Sequence, residues 1–360
     1  MTADHVYIIA EAGVNHNGQR DLAFALVDAA AEAGADAVKF QTFDAAKLAS
    51  QSAPKAAYQK QSTDAAESQL AMLRKLELPR EWHAGLQAHA QQKGIEFLST
   101  AFDMDSLAFL VEMDMPLFKI PSGELTNAPL LWQFARTRKH LVLSTGMATL
   151  SEVEQGLAVV AHALNAEAEP ASIDEVWRGW SRPQWRDSLC GGHVTLLHCT
   201  SQYPTPFAEV NLRAMDTLAI SFGLRVGYSD HTEGILIPVA AVARGAKVIE
   251  KHFTLDRNLP GPDHKASLEP AELARMVHDI RALQVAFGDG SKTPQPSEWD
   301  TRQAARQQIV AARAIVAGET ISRDALTTAR CGHGLPPSAL WGLVGQNASS
   351  NYSAGEIISE

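Results

Sequence analysis

The chain has 360 residues, 31 Lys and Arg against 41 Asp and Glu, a net charge of −10 and an apolar fraction of 46%. That length exceeds the roughly 150 residues usual for one domain, and the apolar content excludes a wholly disordered chain. The acidity argues against a nucleic-acid partner, which would need clustered Lys and Arg, and no apolar run reaches the roughly 20 residues that span a bilayer.

Short β-branched runs alternate along the chain with Ala-rich amphipathic stretches. The runs predict buried strands at Val6–Ala10, Ala37–Gln41, Ile95–Ser99, Leu117–Ile120, Leu141–Ser144, Val194–Cys199, Arg225–Tyr228 and Lys247–Glu250. Helices are expected between most of them, for example at Leu22–Ala33, Ser151–Leu164 and Pro270–Phe287. This alternation fits a (β/α)8 barrel over 1–288. A doubly wound sheet would carry GxGxxG after its first strand, where this chain reads EAGVNHNG.

Two segments break the rhythm. Asp44 to Leu78 is polar and long, as lids and substrate loops often are. Ala166 to Gly192 carries Trp177, Trp180 and Trp185, for which packing of a local excursion is favoured over a binding role. The stretch 289–305 is rich in Gly, Pro and Ser and reads as a linker. Beyond it, 306–360 reads as a small domain with an internal echo, Ala317-Gly318-Glu319-Thr320-Ile321 and Ala354-Gly355-Glu356-Ile357-Ile358. The N-terminus lacks the basic start and long apolar run of a signal peptide. The three cysteines (Cys190, Cys199, Cys331) form no CxxC pair, so a cytoplasmic setting is expected.

In a barrel enzyme the reactive groups gather at the C-terminal ends of the strands. Polar residues stand at all eight: Glu11; Lys39 and Gln41; Ser99 and Thr100; Lys119 and Ser122; Ser144 and Thr145; His198, Thr200, Ser201 and Tyr203; Ser229, Asp230 and His231; Glu250 and His252. Two lysines among several hydroxyls suit a phosphate dianion, and either lysine could instead form a Schiff base. His231 and His252 end neighbouring strands and can meet on one divalent cation, Mn2+ before Mg2+ or Co2+. Glu11 is a candidate general base, substrate anchor or turn cap.

The motifs IAEAGVNHNG, AVKFQTF, FLSTAFD, FKIPSGE, STGM, HCTSQYPTP, VNLRAM, GYSDHT and EKHFTLDRNLPGPDHKASLEP occur in this order. Together they resemble the N-acylneuraminate (sialic acid) synthase family, and the C-terminal part is similar to its antifreeze-like (SAF) domain. The resemblance implies condensation of phosphoenolpyruvate with the open-chain aldehyde of an N-acetylated hexosamine, giving a nonulosonic acid and phosphate with a divalent metal. It assigns Lys39, Lys119, Ser122, Ser144, Ser201 and Ser229 to phosphoenolpyruvate, and His231 and His252 to the metal. Gln41, Thr100, Phe102, Tyr203 and Asp263 fall to the sugar, with Glu11 and Glu124 near the reacting carbons. It also implies a homodimer in which the antifreeze-like domain of one chain covers the other's barrel and presents Arg330 to the sugar.

Some positions depart from the family pattern. Cys331 stands where Pro usually follows that arginine, Ser201 stands where some members carry Asn, and the Trp-containing insertion is long. The PDHKASLEP stretch favours a sialic or legionaminic product, from N-acetylmannosamine or 2,4-diacetamido-2,4,6-trideoxymannose, over a pseudaminic one. A Schiff-base barrel aldolase and an ice- or glycan-binding protein are the competing readings.

Overall fold

The computed structural model describes residues 5–55, 63–64 and 67–359 and divides into two compact units, Met1–Phe287 and Gly288–Glu360. The first is built on eight parallel strands: β1 (Tyr7–Gly13), β2 (Ala37–Thr42), β3 (Glu96–Ala101), β4 (Leu117–Ile120), β5 (His140–Ser144), β6 (Val194–His198), β7 (Arg225–Asp230) and β8 (Val248–His252). They pair in the order β3-β2-β1-β8-β7-β6-β5-β4, and β3 packs beside β4 to close the barrel. Every expected strand is present, and the expected helices appear at Arg20–Glu32, Leu150–Asn165 and Pro270–Ala286.

The strands are buried on both faces, and their period of two sorts the side chains. Tyr7, Ile9, Ala37, Leu98, Leu117, Val142, Leu197 and Val248 form one apolar cluster filling the barrel. The alternate residues, such as Ile8, Val38, Phe97, Phe118, Leu143, Leu196 and Ile249, belong to the larger core under the helices. One step further along the interior face come Glu11, Lys39, Thr100, Lys119, Ser144, Ser229 and Glu250. The fold therefore stacks a charged layer directly on an apolar plug.

The same parity corrects the ring of strand-end residues. Ser99 faces outward, 2.7 Å from the Thr42 hydroxyl; His198 is 2.8 Å from the Val210 carbonyl; and Thr145 donates to the Leu197 carbonyl. Asp230 also points away from the barrel axis, into a fully buried ion pair with Lys251 at 2.6 Å.

The Trp-containing insertion forms two short helices, Ile173–Trp180 and Pro183–Asp187, packed on Leu150–Asn165. Trp180 donates to Glu154 at 2.9 Å, and Trp185 stands edge-on to the buried His162. The packing reading is the one the structure supports. Of the 44–78 insertion, 56–62 and 65–66 lie outside the described residues. Among the described residues no helix is long and apolar enough to cross a membrane.

The second unit starts earlier than the sequence pattern suggests. The stretch 289–305 contains the helix Trp299–Ala305 and clusters with residues 306–360 instead of forming a bare linker. Two antiparallel strands, β9 (Gln307–Ala311) and β10 (Leu326–Arg330), cover a core of Ile309, Ile315, Ile321, Leu326, Leu340 and Ile358. The internal echo is a repeated turn. Gly318 and Gly355 both sit at φ +85, and the following Glu319 and Glu356 carboxylates accept the Val316 and Ser353 N–H groups. Only a residue without Cβ adopts that backbone cheaply.

Candidate active site

The charged layer and the loops above it enclose a cavity of about 480 Å³ in the first unit. Every barrel residue to which the family resemblance assigns a role lines it; Arg330 belongs to the second unit, exposed at the end of β10.

On the β4–β6 side, small polar groups crowd around Gly146. Its N–H donates to the Ser122 hydroxyl at 3.0 Å, and Ser122 lies 3.1 Å from the Cys199 thiol. A Cβ added at Gly146 would stand 2.4 Å from Ser201 Oγ and 2.8 Å from both Ser122 Oγ and Cys199 Sγ. Among the described residues Ser144 Oγ is buried without a hydrogen-bond partner. Converging hydroxyls around a glycine, with Lys119 at the same end, make a cradle for a tetrahedral anion. Cys199 belongs to it, a role not read from the sequence; it continues the inward parity of Leu197 just past the end of β6.

Across the floor runs a chain of buried charges. Lys39 lies 2.5 Å from Glu11 and 3.4 Å from Glu250, and Lys119 lies 3.3 Å from Glu250. Ser229 donates to Glu250 at 2.8 Å, Gln41 to Glu11 at 3.3 Å, and Lys39 to Thr100 at 3.0 Å. Burial pushes the Glu11 carboxyl up to about 7; the Lys39 ammonium opposes this and the Glu250 charge adds to it. Burial acts on Glu250 too, but Lys119, Lys39 and the Ser229 hydroxyl outweigh it and hold that carboxyl well below the usual carboxylate range. For Lys39, burial favours the neutral amine, yet Glu11 and Glu250 prevail and keep the ammonium protonated. The two carboxylates are thus split into a permanent anion and a group that exchanges its proton near neutral pH. Glu250, present in the strand-end ring but given no role from sequence, is the hub of this arrangement.

His231 and His252 face each other over the floor with ring centroids 5.5 Å apart. Burial pulls both imidazoles below their ordinary range, so they are neutral. His231 Nδ1 is 2.7 Å from the Thr200 carbonyl, which can only accept; Nδ1 therefore carries the proton and the Nε2 lone pair is left for a ligand. Among the described residues His252 Nδ1 is buried without a partner. Two neutral imidazoles fit a divalent cation whose other ligands are water and substrate oxygens; among the described residues no group of three His, Cys, Asp or Glu could hold one.

Tyr203 stacks 4.1 Å from His231, and burial raises the Asp263 carboxyl to about 6. Glu124 differs from Glu11: it sits half-buried on the turn Ser122–Glu124, accepting from Asn127 at 2.7 Å. Geometry therefore separates the two candidate carboxylates, with Glu11 on the buried floor and Glu124 on a loop above it.

Comparison with known proteins gives this site its setting. The NeuB family pattern matches residues 26–292, and a SAF domain matches 306–360. The chain belongs to the NeuB family. It is similar to the N,N'-diacetyllegionaminic acid synthase of Campylobacter jejuni subsp. jejuni serotype O:2, with 47% identity over 98% of both chains. The pseudaminic acid synthase of the same serotype is 32% identical over 100% of this chain and 97% of its own. Among solved structures, the N-acetylneuraminic acid synthetase of Leptospira borgpetersenii, crystallised with citrate, superposes with a TM-score of 0.67. It has 32% identity and covers 83% of this chain and 90% of its own. This chain is an enzyme of the nonulosonic acid synthase family.

Proposed function

We propose that the cavity condenses phosphoenolpyruvate with the open-chain aldehyde of an N-acetylated hexosamine, yielding a nonulosonic acid of sialic or legionaminic type and phosphate. The observation that carries this reading is the buried carboxylate Glu250 flanked by Lys39 and Lys119, beside an anion cradle at Gly146 and beneath a pair of neutral histidines. Ser122, Ser144, Ser201 and Lys119 would hold the phosphate, with Lys39 and Ser229 completing the contacts to phosphoenolpyruvate. Gln41, Thr100, Phe102, Tyr203 and Asp263 would line the sugar.

The residues suit each step. Phosphoenolpyruvate C3 forms a bond to the aldehyde carbon, and the aldehyde oxygen takes a proton from Glu11, whose pKa of about 7 supplies a protonated fraction near neutrality. Positive charge develops at C2, which the fixed Glu250 carboxylate faces from the floor. Water adds to C2 and gives its proton back to Glu11. The tetrahedral centre expels phosphate by C–O cleavage as its hydroxyl proton leaves with the phosphate. A divalent cation at His231 and His252, Mn2+ before Mg2+ or Co2+, would polarise the aldehyde as a Lewis acid.

A Schiff-base mechanism fits less well. Lys39 is held as an ammonium between two carboxylates and lacks the lone pair an imine needs, and Lys119 is tied to the same Glu250. Identity of 47% against 32% favours the legionaminic over the pseudaminic alternative. We further propose a homodimer in which the SAF domain of one chain closes the other's barrel, bringing Arg330 to the sugar.

The test is phosphate release from phosphoenolpyruvate, with the keto acid product identified, across a panel of N-acetylhexosamines with Mn2+. EDTA should abolish turnover and Mn2+ restore it, because two histidines hold the ion weakly. Turnover with no sugar, or a lysine adduct trapped by borohydride, would refute the reading.

A further inference from the structure

Beyond β1, the strand that carries Glu11, the chain turns through Asn15–Gly18, residues that do not line the cavity. This turn is nevertheless tied to the loop that delivers Asp263. The loop, 254–267, runs from the end of β8 towards the helix Pro270–Ala286 and contains Pro260, Gly261 and Pro262. Among the described residues its only helical turn is His264–Ala266. Regular structure therefore does not fix where Asp263 stands, and side chains have to do so.

One buried side chain holds both ends of the loop. Asn15 Nδ2 donates to the Phe253 carbonyl at 2.8 Å, just after β8, and to Ser267 Oγ at 3.0 Å at the far end. A carbonyl only accepts, so the orientation of the amide is determined. The Ser267 hydroxyl in turn donates to the Asp263 carbonyl at 2.7 Å. Asn15 and Ser267 are both nearly fully buried, where water does not compete for these bonds. A directed chain of donors thus runs from the turn after β1 to the backbone of Asp263.

A second pin lies beside the first. His264 Nε2 is 3.1 Å from Asn17 Oδ1, and its Nδ1 is 2.7 Å from the Thr254 hydroxyl. Burial pulls this imidazole down to about 4, so it is neutral, with Nε2–H donating to Asn17 and Nδ1 accepting from Thr254. The contact is close: a Cβ at Gly261 would stand 2.7 Å from the His264 ring and 3.0 Å from Asn17 Oδ1. The Phe253 N–H also donates to the Glu11 carbonyl at 3.0 Å. Glu11 and Asp263 are therefore referenced to the same stretch of backbone.

Resting on the synthase reading, we propose that Asn15, Ser267 and His264 are positioning residues for the sugar. They set the spacing between Asp263 and Glu11, so that a sugar hydroxyl meets Asp263 while the aldehyde end lies on the floor. A displacement of about 1 Å takes a group out of productive reach. Loosening the loop therefore weakens the sugar and leaves the phosphate cradle on the β4–β6 side as it is.

The experiment uses the full chain with Mn2+, phosphoenolpyruvate and the better used of N-acetylmannosamine and 2,4-diacetamido-2,4,6-trideoxymannose. Ser267→Ala and His264→Leu should each raise the sugar KM about three- to tenfold, the equivalent of one hydrogen bond, with the KM for phosphoenolpyruvate unchanged. Asn15→Ala, which releases both ends of the loop, should raise it further. His264→Gln keeps a donor for Asn17 and should stay at the parent value. A double-mutant cycle of Ser267→Ala with Asp263→Asn, read in kcat/KM for the sugar, should be non-additive, because the first change acts through the second residue. Loss of thermal stability with both KM values shifted in parallel would mean a merely structural role and overturn the inference. So would a strictly additive cycle, or an unchanged sugar KM in Ser267→Ala and His264→Leu; each leaves the synthase reading standing. Parent enzyme that releases phosphate with neither sugar would remove the synthase reading, and this inference with it.

Discussion

Lys251→Met tests how the two histidines are set. In the β7–β8 register Ser229 pairs with Glu250 and Asp230 with Lys251, so each ion-pair residue immediately precedes a histidine, Asp230 before His231 and Lys251 before His252. The pair is fully buried, Nζ to Oδ2 is 2.6 Å, and Lys251 also donates to the Thr232 carbonyl on the far side of His231. Removing the ammonium strands the Asp230 carboxylate in the core, a change that costs about 3–5 kcal/mol. Asp230 keeps its bonds from Thr232 N at 3.1 Å and Thr232 Oγ1 at 3.0 Å, which places the expected loss near the lower end, about 3 kcal/mol. Because paired removal of a buried ion pair is often neutral, Asp230→Leu with Lys251→Met should recover most of that stability. The double variant should still bind Mn2+ more weakly, since the strut that fixes both imidazoles is gone. Urea unfolding followed by far-UV circular dichroism gives the double-mutant cycle, and electron paramagnetic resonance gives the Mn2+ affinity. A single variant within about 0.5 kcal/mol of the parent, or strictly additive effects, would refute the reasoning.

Three further outcomes are expected. Gly146→Ala fills the cradle and should raise the KM for phosphoenolpyruvate roughly ten- to a hundredfold with the sugar KM unchanged, the loss of about one charge-assisted hydrogen bond. Glu11 has a folded pKa of about 7 against its ordinary 4.5. The unfolded chain releases that proton first, so the contribution is fully present at low pH and is lost as pH rises through about 7. Glu11→Gln should flatten this slope in urea titrations from pH 4.5 to 7 and lower kcat by about 10²- to 10⁴-fold. Finally, mixed dimers of Arg330→Ala with Lys119→Ala chains should regain activity well above either variant, since exchanged lids leave one intact site; verified mixed dimers without recovery would count against the exchange.

The eight strands were legible because each is a short apolar run bounded by turn residues, a signal that tertiary context does not alter. The site was legible one level less finely. Polar residues at strand ends are visible in the sequence, but position at a strand end does not by itself separate Ser99, His198 and Asp230 from Thr100, Ser201 and His231, although alternation turns the two sets to opposite faces. Counting in twos from Leu98, Leu197 and Gly227 would have separated them. Leu48, Met72, Leu73 and Leu76 lie in a mostly polar segment, and their shared place on the cavity is not legible there because they meet only when the folded chain packs them with Phe43 and Phe102. Likewise the helix Trp299–Ala305 hides behind a Gly- and Pro-rich lead whose Gln295 and Glu298 form a capping box.

The anion cradle is set among nearly fully buried side chains such as Lys39, Lys119 and Ser144, whereas Leu48 and Leu73, which also line the cavity, remain half-open. For the proposed reactants, that depth profile predicts an order of arrival. The small, highly charged phosphoenolpyruvate would reach the floor first, and the bulkier sugar would then close the path above it. Departure would run in reverse, the keto acid leaving first and inorganic phosphate last. Phosphate should therefore compete with phosphoenolpyruvate, and a sugar that arrives early should slow the cycle at high concentration.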